Sequence, residues 1–153
     1  MEVTLREYRV GDVEAMYALD VVCFEPPFRF TKWAMRRFAE AKGAVTVVAE
    51  AEGDLVGFAI VQMEGGGKAG SRGYVVTLDV APAWRRQGLA RRLMEAAEAK
   101  AAAAGAARMA LHVFVGNVGA VRFYEGMGYR RAATAEGFYG QGLDAAVYLK
   151  PLG

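Results

Sequence analysis

The chain has 153 residues, 54% of them hydrophobic, with a formal net charge of +2, one histidine and one cysteine. That length suits one domain with one substantial core, and that apolar content excludes disorder. The weak charge argues against a nucleic-acid surface, the lone Cys23 rules out an internal disulfide and fits a reducing compartment, and no run approaches the roughly 18 apolar residues of a membrane span.

Residues 2–8 alternate and read as a strand with Val3 and Leu5 inward. They carry no signal-peptide architecture, so a soluble cytoplasmic protein is expected. Gly11 and Asp12 open a short helix with Val13, Met16, Tyr17 and Leu19 on its apolar side. Pro26 and Pro27 exclude a helix from residues 23–30, CFEPPFRF, whose three phenylalanines need something to cover. A second helix starts near Thr31, a good cap, and runs to about Ala41. Residues 44–51 form a strand, Gly53 and Asp54 a turn, and residues 55–63 the hairpin partner. The glycine-rich residues 65–73 read as a flexible connection.

Residues 74–80, YVVTLDV, form a central strand that Pro82 ends. The longest helix spans Gly88 to about Ala104, with Leu89, Leu93, Met94 and Ala97 apolar, and Gly105 stops it. Residues 108–115 are a strand, 119–126 a short helix, and 129–133 and 143–149 two closing antiparallel strands. A right-handed crossover makes strands 74–80 and 108–115 parallel neighbours. The result is a mixed α/β sheet with helices on both faces.

The stretch RRQGLARR, residues 85–92, opens the longest helix. Unpaired N–H groups of a first helical turn favour an anion, and Gly88 and Ala90 let one approach the backbone. Arg85, Arg86, Arg91 and Arg92 are clustered, which suits a compact anion better than a long phosphate backbone. The glycine spacing fits neither a Rossmann fingerprint nor a Walker loop. By itself the stretch indicates a diphosphate at a helix start.

Val80, Pro82, Arg85, Gly88, Leu89, Ala90 and Leu93 resemble the acetyl-CoA pyrophosphate motif of the GCN5-related N-acetyltransferases, Q/R-x-x-G-x-G/A. Asn117, Ala120, Phe123, Tyr124, Gly128 and Tyr129 resemble the family's next block. Phe138–Tyr139, Asp144–Ala145 and the FEPPF stretch resemble a narrower group, the bacterial ribosomal-protein and the archaeal and eukaryotic protein N-terminal acetyltransferases. The resemblance spans nearly the whole chain. It implies the family's fold, a mostly antiparallel mixed sheet of seven strands with helices on both faces and a splayed parallel pair at its centre. It implies acetyl-CoA as cosubstrate and no metal. His112 also stands without a cysteine or carboxylate cluster at ligand spacing.

The resemblance further places the pantetheine arm against Leu78, Asp79 and Val80. The diphosphate falls at Arg85, Arg86, Gln87, Gly88, Leu89, Ala90 and Arg91, and further cofactor contacts at Asn117, Ala120 and Tyr124. Acetyl transfer from a thioester needs a neutral amine and benefits from a proton for the departing thiolate. Tyr124 matches the family's general acid, with a packed aromatic as the alternative. His112 stands where bacterial members usually carry Glu. One eukaryotic branch carries His there with a tyrosine on the neighbouring strand, matched by Tyr74. The pair is then a base acting through water, with a core histidine as the alternative. Phe24, Glu25, Pro27, Phe28 and Tyr139 are expected to hold the acceptor. A modest base suits an α-amine better than a lysine, so the expected partner is a protein or peptide N-terminus. A small-molecule amine, a protein lysine and a non-catalytic CoA-binding module are the other readings. The enzyme is expected to be a monomer or weak homodimer without nucleic-acid or membrane partners.

Overall fold

The computed structural model describes residues 2–65 and 70–153. Strand β1 (Thr4–Glu7) leads into α1 (Val13–Cys23) and α2 (Lys32–Glu40). Strands β2 (Val45–Ala51), β3 (Asp54–Gly65) and β4 (Ser71–Val80) follow. The chain closes with α3 (Leu89–Ala103), β5 (Ala106–Phe114), α4 (Val118–Gly126), β6 (Arg130–Ala135) and β7 (Ala145–Pro151). The seven strands form one sheet in the order β1-β2-β3-β4-β5-β7-β6, antiparallel except for the β4–β5 pair. The expected mixed sheet with one parallel central pair and helices on both faces is what is found.

The helices sort by their apolar stripes. Val13, Met16 and Leu19 of α1 and Met35 and Ala39 of α2 are buried with Val48, Phe58 and Ile60 on one face of the sheet. Leu89, Leu93, Met94, Ala97 and Ala101 of α3 are buried on the other, with Tyr124 of α4. Thr31 caps α2 as expected, its hydroxyl accepting from the Ala34 N–H at 3.1 Å. The proline pair excludes an α-helix but permits a short 3-10 turn, Pro26–Phe28, because prolines at a turn's start give up no needed N–H.

The glycine-rich connection is shorter than expected. Ser71, Arg72 and Gly73 belong to β4, paired with both β3 and β5. Two flanking backbones override weak strand propensity there. Residues 66–69 of the expected connection lie outside the described residues. Gly73 is required by close approach, since a Cβ would sit 2.8 Å from the Met109 sulfur and 3.2 Å from Ala101 of α3.

Two irregularities in β4 shape the site. Thr77 pairs with Ile60 and Val75 with Val61, so Val76 is an extra residue, a β-bulge. Val75 therefore packs under α3, whereas Thr77 and Asp79 lie with Ile60 and Phe58 on the α1 face. Pairing of β4 with β5 ends at Val75–Leu111. Beyond it β4 stays with β3 and β5 stays with β7, and the sheet splits.

Candidate active site

The split leaves one edge of β4 open. Ala81 donates its N–H to Val56 of β3 at 2.8 Å, so the Val80 carbonyl, on the same trans peptide, points the other way, into the gap. Strand alternation puts the Leu78 N–H and carbonyl and the Val80 N–H on that side too, while the backbone of Asp79 serves β3. A cleft of about 920 Å³ opens along this edge, with Leu78 and Val80 in its wall and Asp79 outside it. The Val80 carbonyl is already engaged by Arg85 Nε at 3.1 Å and the Cys23 thiol at 3.4 Å.

At the end of this edge the chain turns into α3. Gly88 adopts φ +78°, a left-handed conformation, and its carbonyl accepts the first helical bond, from Arg92, at 3.1 Å. Its Cβ position is open space, so backbone conformation, not crowding, requires glycine. Arg86, Gly88, Leu89, Ala90 and Arg91 line the cleft beside Arg85. Arg92 does not join the cluster. It reaches away to donate to the Val3 carbonyl at 3.0 Å, because one residue is about 100° of helix rotation. Gln87 also lies outside the lining, bonded to the Ala83 carbonyl at 3.2 Å.

Asn117 and Ala120 border the cleft across the gap. Asn117 is the helix cap of α4, its side chain accepting from the Ala120 N–H at 3.2 Å. Tyr124, one turn further on, is buried with its ring against Phe123 and Tyr129, yet it too lines the cleft. Burial, then the field of Asp79, pushes its phenol well above the usual tyrosine range, so it stays protonated.

His112 projects from the sheet opposite to its buried neighbours Leu111 and Val113 and reaches the cleft on the α1 face. Its Nδ1 lies 2.7 Å from the Tyr74 hydroxyl on β4. Tyr74 sits behind His112, outside the cleft lining, and burial pushes its phenol up to about 12. Burial, then Arg72, lowers the imidazole below its ordinary value, so the ring is neutral at pH 7. Phe138 lies flat on it, 4.0 Å between ring centres and 6° from parallel.

The expected acceptor residues gather at the same mouth, except Pro27. Phe24, Glu25, Phe28 and Tyr139 line the cleft, and Pro27 faces solvent. Phe28 packs on Tyr139 at 5.0 Å and on Phe114 at 4.9 Å. The Tyr139 hydroxyl donates to the His112 carbonyl at 3.2 Å. That bond fixes the loop over β5. Phe114 went unnoticed in sequence, although strand alternation from His112 marks it as the next residue on that face. Arg29 also went unnoticed; it ties the 23–30 loop to α1 through the carbonyls of Phe24 at 2.6 Å and Val21 at 3.1 Å.

Among the described residues, no three His, Cys, Asp or Glu gather as a metal site, and no helix is long and apolar enough to cross a membrane. The acetyltransferase (GNAT) family model matches residues 13–129. The N-alpha-acetyltransferase of Saccharolobus solfataricus is 25% identical over 97% of this chain and 93% of its own length. The ribosomal-protein-S18-alanine N-acetyltransferase of Escherichia coli shares the fold at a TM-score of 0.86 and 21% identity, over 99% of this chain and 94% of that one. NAA60 of Arabidopsis thaliana in complex with acetyl-CoA superposes with a TM-score of 0.86 and 20% identity, over 99% of both chains. With a split β4–β5 pair, an open β4 edge and a family match over most of its length, the chain belongs to the acetyltransferase (GNAT) family and is an acetyl-CoA-dependent acyltransferase.

Proposed function

We propose that the chain, as a single cytoplasmic domain, moves the acetyl group of acetyl-CoA to the α-amine of a protein or peptide N-terminus by direct attack in a ternary complex. The observation that carries this reading is the 2.7 Å contact between Tyr74 and His112 on the α1 face, beside the aromatic mouth. It supplies a neutral base of modest strength where the 23–30 loop would admit a peptide end. The N-alpha-acetyltransferase similarity over nearly the whole chain supports the same acceptor.

The cleft residues fit acetyl-CoA. The open N–H and carbonyl groups of Leu78 and the Val80 N–H suit the amides of an extended arm. The free N–H groups at the start of α3, with Arg85, Arg86 and Arg91, suit a diphosphate, a helix terminus alone contributing about 0.3–1 kcal/mol. Asn117 and Ala120 border the other side. The cosubstrate supplies an acetyl group activated as a thioester. Tyr124 lies with the α3-side core and His112 with the α1 face, so acid and base meet across the split sheet. His112 receives a proton from the incoming ammonium through water, which leaves the nitrogen lone pair free to attack. With Nδ1–H donated to the Tyr74 oxygen, Nε2 holds the accepting lone pair. Tyr124 donates its hydroxyl proton to the departing sulfur, and the second proton that the nitrogen sheds on becoming an amide returns to the Tyr124 oxygen.

At pH 7 on the order of a tenth of α-amines are already neutral, against well under a tenth of a per cent of lysines, from reference pKa values near 7.8 and 10.4. A modest base therefore suffices for the first and serves the second poorly. Acetyl-CoA-dependent thiol release tests the assignment on short peptides with free and blocked N-termini, a lysine-only peptide and a polyamine. Activity should vanish when the α-amine is blocked. Activity that survives the block, or appears only with the polyamine, would overturn the acceptor and leave the cosubstrate site intact.

His112→Ala should lower kcat/KM about 10-fold at pH 7 and recover as pH passes the α-amine's own pKa near 8. The wild-type enzyme should lose activity only on the acid side of the ordinary histidine value, since its imidazole is shifted down. A pH-independent loss in the variant would make His112 a packing residue.

A further inference from the structure

Two carboxyl groups without a part in this chemistry are buried behind the cleft. Asp20 of α1 is 0% exposed and Asp79 of β4 is 1% exposed. Each has one oxygen satisfied. The Phe30 N–H donates to Asp20 Oδ2 at 2.9 Å, and the Thr77 hydroxyl donates to Asp79 Oδ1 at 2.6 Å. The remaining oxygens, Asp20 Oδ1 and Asp79 Oδ2, have no donor. The two side chains are within hydrogen-bonding reach of each other. If both were ionised, two like charges would share a dry site, and two acceptors would face each other with no hydrogen between them. One proton between them removes a charge and satisfies both oxygens.

The surroundings do not relieve the pair in another way. Arg85 is the cation nearest in effect, but its Nε is held on the Val80 carbonyl. Cys23 at the end of α1 and Tyr124 of α4 are the other titratable groups that feel Asp79, and burial raises both, keeping them neutral. Burial, then Asp20, outweighs the Thr77 bond and Arg85 and holds the Asp79 carboxyl well above the usual range.

We propose that Asp20 and Asp79 share one proton, and that this acid pair fastens the 23–30 loop to β4, making both positioning residues for the acceptor. Asp20 grips the far end of that loop through the Phe30 N–H, and Asp79 lies between Leu78 and Val80 on the cofactor edge. From behind the cleft the pair thus joins the loop and the strand whose Phe24, Phe28, Leu78 and Val80 line it. Loss of the shared proton leaves two charges pushing α1 and its loop away from β4. The shared proton stands without the N-terminal substrate reading; the positioning role rests on it.

Asp79→Asn tests the idea, because the amide keeps the shape, donates to Asp20 Oδ1 and leaves the pair with the same single negative charge, but has no proton to lose. Asp20→Asn is the second variant. Between an unfolded carboxyl pKa near 3.9 and the raised folded value, the folded wild type holds a proton that the unfolded chain has released. The pair's contribution to stability is therefore full below about pH 4 and is lost as pH rises toward the folded value. Thermal midpoints from about pH 5 to about pH 9 should fall more steeply in the wild type than in either variant. The infrared C=O stretch of a protonated carboxyl should be present in the wild type at neutral pH and absent from both variants. The KM for a peptide acceptor should rise several-fold at alkaline pH in the wild type and stay level in Asp79→Asn. Parallel midpoint curves without a protonated-carboxyl band would overturn the shared proton. A band with matching KM profiles would overturn the positioning role. Failure to turn over any peptide would refute the acceptor assignment and with it the positioning role, while band and midpoints still decide the proton.

Discussion

Gly88→Glu should weaken acetyl-CoA binding by about 10²- to 10³-fold, measured by calorimetry on the purified protein. Two effects add. The residue sits at φ +78°, where any side chain costs about 1–2 kcal/mol, so the start of α3 would shift. The carboxylate would also occupy the positive end of the helix, beside Arg85, Arg86 and Arg91, where a diphosphate is proposed to lie, and repel it. Gly88→Ala carries the strain without the charge and should lose less. Binding retained by the glutamate variant would move the diphosphate away from α3.

Tyr124→Phe should reduce kcat by about 10²- to 10³-fold with little change in acetyl-CoA affinity. The phenylalanine ring keeps the edge contacts with Phe123 and Tyr129, at 5.2 Å and 5.6 Å, so the thermal midpoint should barely move. Only the proton donor is lost. Because burial holds the wild-type phenol protonated through neutral pH, the defect should not depend on pH in that range. Unchanged turnover would remove Tyr124 as the acid and leave it a packed aromatic.

Among the described residues, local signals located every α-helix and strand to within a few residues, but not the short 3-10 turn at Pro26–Phe28. The stripe Leu89, Leu93, Met94, Ala97 is the buried face of α3, and Thr31 caps α2 through its own hydroxyl. Such features rest on periodicity and on backbone groups a residue or two away, which sequence spacing encodes directly. The start of β4 was misread for the opposite reason. Ser71 to Gly73 have weak strand propensity, and only pairing with β3 and β5 makes them a strand.

The site divides along the same line. Arg85, Gly88, Asn117, Tyr124 and His112 were legible by type and position, and all border one cleft. Arg92 was legible by type only, since helix rotation turned it to Val3. Asp79 was read as an edge residue, but the Val76 bulge reversed the alternation of β4 and delivered its carboxyl to the α1 face, opposite Asp20. Asp20 itself lay seven residues from Val13 on the apolar stripe, an acid on the buried side of a helix.

The sequence by itself determined the elements, the single parallel crossover and the residue types suited to an anion, an acid and a base, because each depends on neighbours close along the chain. The tertiary structure alone decided where β4 leaves β5, which backbone groups of Leu78 and Val80 stand open, and that two buried aspartates meet. Those outcomes depend on strand pairings and packing between residues tens of positions apart, and no local spacing carries them.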